Sequence, residues 1–262
     1  MRILSVSHYY PPHVGGLEVV ATKLVESLLT NGHQVSVVTC AFPGAQKGRV
    51  VENGAVVYRE RVLNFFDTHF GIPFPIPGVG MCLRMFREAR HSDAVHIHDV
   101  FYVTSWLAYW AAAIYRKPIV LTQHVGLVEH KSSFVMGVQR VVYRLFGRTI
   151  FSAAHTIIVY NRNVKDFLVT QGVDIRKIME LRNGIEFSNF SDIGPIDRTE
   201  VLRSFGVESK KPIVLFVGRF VAKKGVDILF GAHDDRYDII FAGSGNIPSE
   251  WINQKGVYFI GP

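Results

Sequence analysis

Residues 3–39 read ILSVSHYYPPHVGGLEVVATKLVESLLTNGHQVSVVT, and three segments of different character follow one another in them. Ile3–Ser7 is a short apolar run. Leu17, Val20, Ala21, Leu24, Val25 and Leu28 recur at i, i+3, i+4, i+7, i+8 and i+11, which makes one apolar stripe on a helix. Asn31-Gly32 supplies a stop for that helix. Val35–Thr39 is a second apolar run. Both runs are continuous rather than alternating, as expected of strands buried on both faces of a parallel sheet. The stretch is therefore a strand–helix–strand unit.

The pattern repeats outward from this unit. Strands are expected at Val56–Arg59, Ala94–His98, Ile119–Thr122, Thr156–Tyr160 and Ile178–Leu181, with helical patterns between them. Such alternation predicts a doubly wound α/β domain. Residues 186–199, EFSNFSDIGPIDRT, have loop composition and read as a connection. The pattern then restarts with a strand at Pro212–Val217, a helix at Gly225–Ala232, and strands at Asp238–Ala242 and Val257–Ile260. The expected organisation is an α/β chain of two Rossmann-like domains, 1–185 and 186–262. The second has few strands and is incomplete, with an open strand edge and exposed apolar surface.

Bulk properties narrow the class. The chain has 262 residues, 48% of them hydrophobic and 19% charged, and a formal net charge of +7. This is the composition of a globular chain that favours anionic partners. The two cysteines, Cys40 and Cys82, lack metal-like spacing and read as reduced thiols of a cytoplasmic protein. The N-terminus lacks a secretory pattern. The most apolar stretch, Trp106–Tyr115, is too short to span a bilayer, which takes ~20 residues.

Three turns carry chemistry. In the first, Gly15-Gly16 lies where a helix begins. Bare backbone and the unpaired N–H groups of a helix N-terminus suit an anion there. Glu18 in the first helical turn is favoured by the helix dipole. A plain tight turn with a first-turn acid accounts for these residues equally well. A dinucleotide-binding dehydrogenase is set aside, because it wants GxGxxG and an acid ending the second strand, which here reads Val38-Thr39-Cys40. In the second turn, Gly218-Arg219 ends a strand and Lys223-Lys224-Gly225 follows. Two cations at the C-terminal edge of a sheet suit a diphosphate. A solvated basic loop is the plainer alternative. The third turn, Gly243-Ser244-Gly245, offers backbone N–H groups at another strand end.

In this order, PPHVGGLE, DAVHIHD at 93–99, LTQH at 121–124, AAHTIIVYNRNVKDFL at 153–168, RNGIEFSNF at 182–190, VLFVGRFVAKKGVDIL at 214–229 and FAGSG at 241–245 resemble the retaining glycosyltransferases of family 4, which have the GT-B fold. The resemblance implies a nucleotide-diphosphate-sugar donor and a glycan or lipid-linked acceptor, with transfer that retains configuration. Gly15 and Gly16 would lie against the donor phosphate and sugar. Arg219 and Lys224 would neutralise the leaving diphosphate, with Gly243, Ser244 and Gly245 also on the donor side. His124 would sit beside the sugar, and His98 and Asp99 would line the acceptor side.

No DxD motif offers a metal site, so the cations take that role and neither metal nor cofactor is expected. His96, His98 and Asp99 supply too few local ligands for a closed zinc site. The family's donor domain continues past a segment like VYFIGP to a pair of glutamates not present here. A fragment or a binding-only remnant is accordingly one alternative reading, and another GT-B enzyme, an inverting transferase or an epimerase, is a second. Tyr160-Asn161 stands where the family usually has serine, and Asn161 can still cap the next helix.

Residues 134–148, FVMGVQRVVYRLFGR, form a basic amphipathic pattern with Arg140, Arg144 and Arg148 four apart. Met81–Arg90 is similar in character. Peripheral contact with the inner face of a membrane is expected from these segments, beside the simpler reading of helices packed on the sheet. No motif supports nucleic-acid binding.

Overall fold

The computed structural model describes residues 1–63, 76–128, 133–185, 187, 194 and 196–261. Most of the expected connection at 186–199 therefore lies outside the described residues. The chain divides into two compact units, Met1–Gly184 and Ile185–Pro262.

The first unit is built on an eight-stranded sheet. Its strands are β1 (Arg2–Val6), β2 (Gln34–Cys40), β3 (Gly48–Glu52), β4 (Ala55–Glu60), β7 (Ala94–His98), β8 (Ile119–Gln123), β9 (Thr156–Val159) and β10 (Ile178–Glu180). A short pair, β5 (Val62–Leu63) and β6 (Ile76–Pro77), stands apart from it. The spatial order is β10-β9-β8-β7-β1-β2-β4-β3. Every neighbouring pair is parallel except β3 with β4. The antiparallel β3 is absent from the sequence reading, because GRVVE is short and carries too little apolar alternation to stand out from a loop.

The helices are α1 (Gly16–Thr30), α2 (Val79–His91), α3 (Val103–Ile114), α4 (Ser133–Val142), α5 (Arg148–Ala153) and α6 (Arg162–Thr170). A π turn, Tyr143–Gly147, joins α4 to α5 without a break in helical backbone. Apolar residues of both sheet faces are covered. Val35 and Val37 pack with Ala21 and Val25 of α1. Leu4, Val6, Val38 and Cys40 belong to a larger core with Met81, Met85 and Ala89 of α2 and Ala108, Ala111 and Ala112 of α3. The α1 stop works as the sequence implies. Gly32 adopts a left-handed φ of 78°, and its N–H and that of His33 satisfy the carbonyls of Leu29 and Leu28. Asn161 caps α6 by accepting from the Val164 N–H at 2.9 Å.

The second unit has a parallel sheet in the order β11 (Ile213–Val217), β12 (Asp238–Ala242), β13 (Val257–Ile260). Its helices are α7 (Arg198–Ser204), α8 (Val226–Gly231) and α9 (Ser249–Ile252). Helix α7 begins inside the segment read as loop, with Asp197 accepting from the N–H groups of Thr199 and Glu200. The core is small and aromatic, centred on Phe220, Phe241 and Val257, with Phe241 stacked on Phe259. Strand β11 pairs only with β12 among the described residues, and its Val214, Leu215 and Val217 are exposed.

Candidate functional site

In a parallel sheet all strands end on one edge, so the residues after β1, β7, β8 and β9 share that edge of the first unit. These are His8, Asp99, His124 and Tyr160. His98 Nδ1 lies 3.2 Å from His124 Nε2, and the Tyr160 ring is 5.4 Å from that of His124. His96, on the same face of β7 as His98, is 2.8 Å from the Thr122 hydroxyl. His98 and Asp99 are buried, at 0% and 2% exposure.

Burial sets the charge of these groups. Desolvation lowers the pKa of His124 to about 4 and that of His96 to about 4, and the neighbouring His124 adds to the effect on His96. His98 is pushed well below the usual imidazole value by burial and then by His96 and His124. The pair is therefore neutral at pH 7. Asp99 is raised to about 6 by burial, opposed by hydrogen bonds from its surroundings. Its carboxylate accepts from the Phe101 N–H at 3.0 Å, and its backbone sits at a left-handed φ of 65°. Such geometry turns the chain sharply from β7 into α3.

The tautomers follow from satisfaction of hydrogen bonds. His98 Nε2 is buried without a partner. An orphaned lone pair costs less than an orphaned N–H. His98 therefore carries its proton on Nδ1 and donates to His124 Nε2. His124, as a neutral ring, then carries its own proton on Nδ1, which makes that nitrogen a donor.

The first turn is held by residues that sequence reading did not single out. Buried Arg59, from β4, donates to the Pro11 carbonyl and pairs with Glu52 at 2.7 Å. Tyr102 stacks on His8 with ring centroids 4.1 Å apart. His13 stacks on Tyr9 and sits 2.9 Å from the Glu18 carboxylate. That carboxylate folds back over Gly15, where a Cβ would collide with it, whereas a Cβ at Gly16 would meet nothing within 4 Å. Gly15 thus makes room for Glu18, and Gly16 is the open position at the start of α1. The one available signal was an arginine inside the apolar run of β4, AVVYRE.

In the second unit, Gly218, Arg219 and Phe220 leave the end of β11, and Gly243, Ser244 and Gly245 leave the end of the adjacent β12. The two loops lie against each other. Phe220 N–H donates to the Ser244 carbonyl at 2.8 Å. A Cβ at Gly243 would strike the Gly218 carbonyl, and one at Gly245 would approach the Phe220 backbone at 2.8 Å. Their φ values, 143° and 148°, are glycine conformations as well. The glycines of this third turn are accounted for by loop packing. The Gly243 N–H is donated to the Ile260 carbonyl.

Arg219 and Lys224 are exposed, and neither forms an ion pair among the described residues. Lys224 ends a 3₁₀ turn, Ala222–Lys224, and Gly225 follows it at a left-handed φ of 74° to start α8. Among the described residues no group of three His, Cys, Asp or Glu side chains converges as metal ligands, and no helix is long and apolar enough to cross a membrane.

The sequence profile of the family described as Glycosyltransferase Family 4 matches residues 14–189. An uncharacterized glycosyltransferase of Methanocaldococcus jannaschii is 24% identical over 258 residues, covering 94% of this chain and 64% of the relative. Alpha-maltose-1-phosphate synthase of Mycobacterium tuberculosis is 28% identical over 257 residues, covering 95% of this chain and 62% of the relative. The chain thus spans less than two thirds of the length of these relatives. Among solved structures, Anabaena HepE in complex with UDP-glucose superposes with a TM-score of 0.67 at 15% identity, covering 100% of this chain and 69% of the other. That likeness gives the GT-B fold.

Proposed function

The chain belongs to glycosyltransferase family 4, and from that premise we propose that it serves the transfer of a sugar from a nucleotide-diphosphate donor to a glycan or lipid-linked acceptor. Transfer retains configuration and uses no metal. In this reading Arg219 and Lys224 hold the diphosphate, and they stabilise the negative charge that grows on it as the sugar departs. In the first unit, the open Gly16 at the α1 N-terminus is the anion-facing position. His124, neutral at pH 7, donates a hydrogen bond to the sugar, and His98 positions it.

The observation that carries this reading is the pair of exposed cations, Arg219 just after β11 and Lys224 at the end of the following 3₁₀ turn, neither of which forms an ion pair among the described residues. Two exposed cations following a strand of a parallel sheet suit a diphosphate. Calorimetric titration of the chain with UDP, GDP and ADP tests it. Arg219→Ala and Lys224→Ala each weaken binding of the preferred nucleotide by roughly 1.5–3 kcal/mol, the worth of a charged hydrogen bond. Unchanged affinity in both variants refutes the assignment.

A further inference from the structure

The run from α4 through the π turn to α5, residues 133–153, presents two faces. Its inner face is fixed to the body of the first unit. Gln139 exchanges two hydrogen bonds with the Val128 backbone, each 2.9 Å, and the Tyr143 hydroxyl lies 3.1 Å from the Gly126 carbonyl. Ile150 and Phe151 enter the core. The outer face is apolar. Phe134, Val138, Val141 and Leu145 are 75%, 42%, 54% and 60% exposed, and their spacing of four, three and four residues sets them in one stripe. Phe146 stacks on Trp106 at 3.9 Å, and Trp110 on the same helix as Trp106 is exposed.

Alongside the stripe run Arg140, Arg144 and Arg148. With Leu127, Tyr143, Phe167, Thr170 and Gln171 they line a cavity of about 270 Å³. Residues 133–153 contain no aspartate or glutamate. The other basic stretch differs. On α2, Arg84 is 3.4 Å from Glu60 and lies 4.2 Å over the Tyr58 ring, so its charge is already used.

We infer that the outer face of residues 133–153 docks on an anionic lipid bilayer, with Phe134, Val138, Val141 and Leu145 entering the acyl boundary and Arg140, Arg144 and Arg148 taking lipid phosphates. Charge complementarity selects this occupant. A rigid apolar stripe edged by arginines, with tryptophan beside it, matches the apolar interior, negative surface and interfacial belt of such a membrane. A second copy of the chain docked face to face would bring six arginines of residues 133–153 together, and that segment has no carboxylate of its own to meet them. The inference does not depend on the reaction assigned above.

The test is co-sedimentation of the full chain with vesicles of phosphatidylcholine alone or with about 30% phosphatidylglycerol, where each arginine near the surface adds roughly fivefold. The wild type binds the anionic vesicles at least tenfold more tightly than the neutral ones. Combined Arg140→Gln, Arg144→Gln and Arg148→Gln removes most of that preference. Combined Val141→Ser and Leu145→Ser, both at exposed positions, lowers binding to both vesicles. In a Trp251→Phe background, brominated lipid quenches the emission of Trp106 and Trp110, a readout that needs no change to the docking face. Three results overturn the proposal: absence of wild-type binding to anionic vesicles, binding that neither combined variant alters, and self-association in sedimentation velocity that the same variants abolish.

Discussion

His98 Nδ1 lies 3.2 Å from His124 Nε2, and this contact couples a fully buried imidazole on β7 to the residue that follows β8. The pair fixes the ring orientation and tautomer of His124. His98→Ala, which leaves His124 without that partner, is expected to cost about 1–3 kcal/mol of stability. His98→Asn keeps a short donor and recovers part of it. Urea denaturation curves of the two variants measure the difference.

The buried histidines make the protein acid-labile. His8, His96 and His124 are lowered to about 3, about 4 and about 4, and His98 well below its ordinary 6.5. The folded-state values lie below the unfolded ones, so stability is intact above pH 6.5 and falls as pH drops from 6.5 toward 4, where the unfolded chain takes up protons first. Each group contributes a slope of up to about 1.4 kcal/mol per pH unit. Asp99 works in the opposite direction. Its folded value, about 6, lies above its unfolded one, so its protonation between pH 6 and 4 offsets roughly one histidine. The expected result is loss of unfolding free energy from pH 6.5 downward, measured by urea denaturation at half-unit intervals. A flat profile between pH 7 and 5 contradicts neutral burial of the set.

Gly15 and Gly16 separate in a mutational test. Gly15→Ala displaces the Glu18 carboxylate from its place over residue 15 and is expected to destabilise by about 1 kcal/mol. Most of that cost disappears in a Glu18→Ala background, because the obstructing group is gone. Gly16→Ala meets nothing within 4 Å and stabilises α1 by up to about 1 kcal/mol. If Gly16 lies against the donor phosphate, the same change weakens nucleotide binding while the unfolding midpoint rises.

In the second unit, Gly243→Ala drives a Cβ into the Gly218 carbonyl at a φ of 143°. The expected cost is about 2 kcal/mol or more. Trp251, partly buried and stacked on Phe230 at 4.1 Å, reports it by fluorescence. Ser244→Ala, whose backbone carbonyl and not its side chain accepts from Phe220, is expected to be nearly silent in stability. A nucleotide-binding loss in that variant would instead place the hydroxyl on the donor.

The sequence by itself determined the strand–helix–strand alternation, because a 3.6-residue apolar stripe and continuous Val/Ile/Leu runs each bury well in only one kind of layer. It also placed Arg219 and Lys224 after a strand, since a basic Gly-rich turn is a local signal. Tertiary structure alone decided what long-range neighbours do to a residue. That Gly15 yields to Glu18, that Gly243 yields to the Gly218 carbonyl, that Arg59 is buried against Pro11, and that His98 meets His124 are facts of approach between segments far apart in the chain or folded back on themselves. Local propensity carries no information about such distances. The exposure of the stripe on residues 133–153 was decided in the same way. Its periodicity is legible, but which side of a helix the sheet covers depends on how much apolar surface the sheet has left to cover.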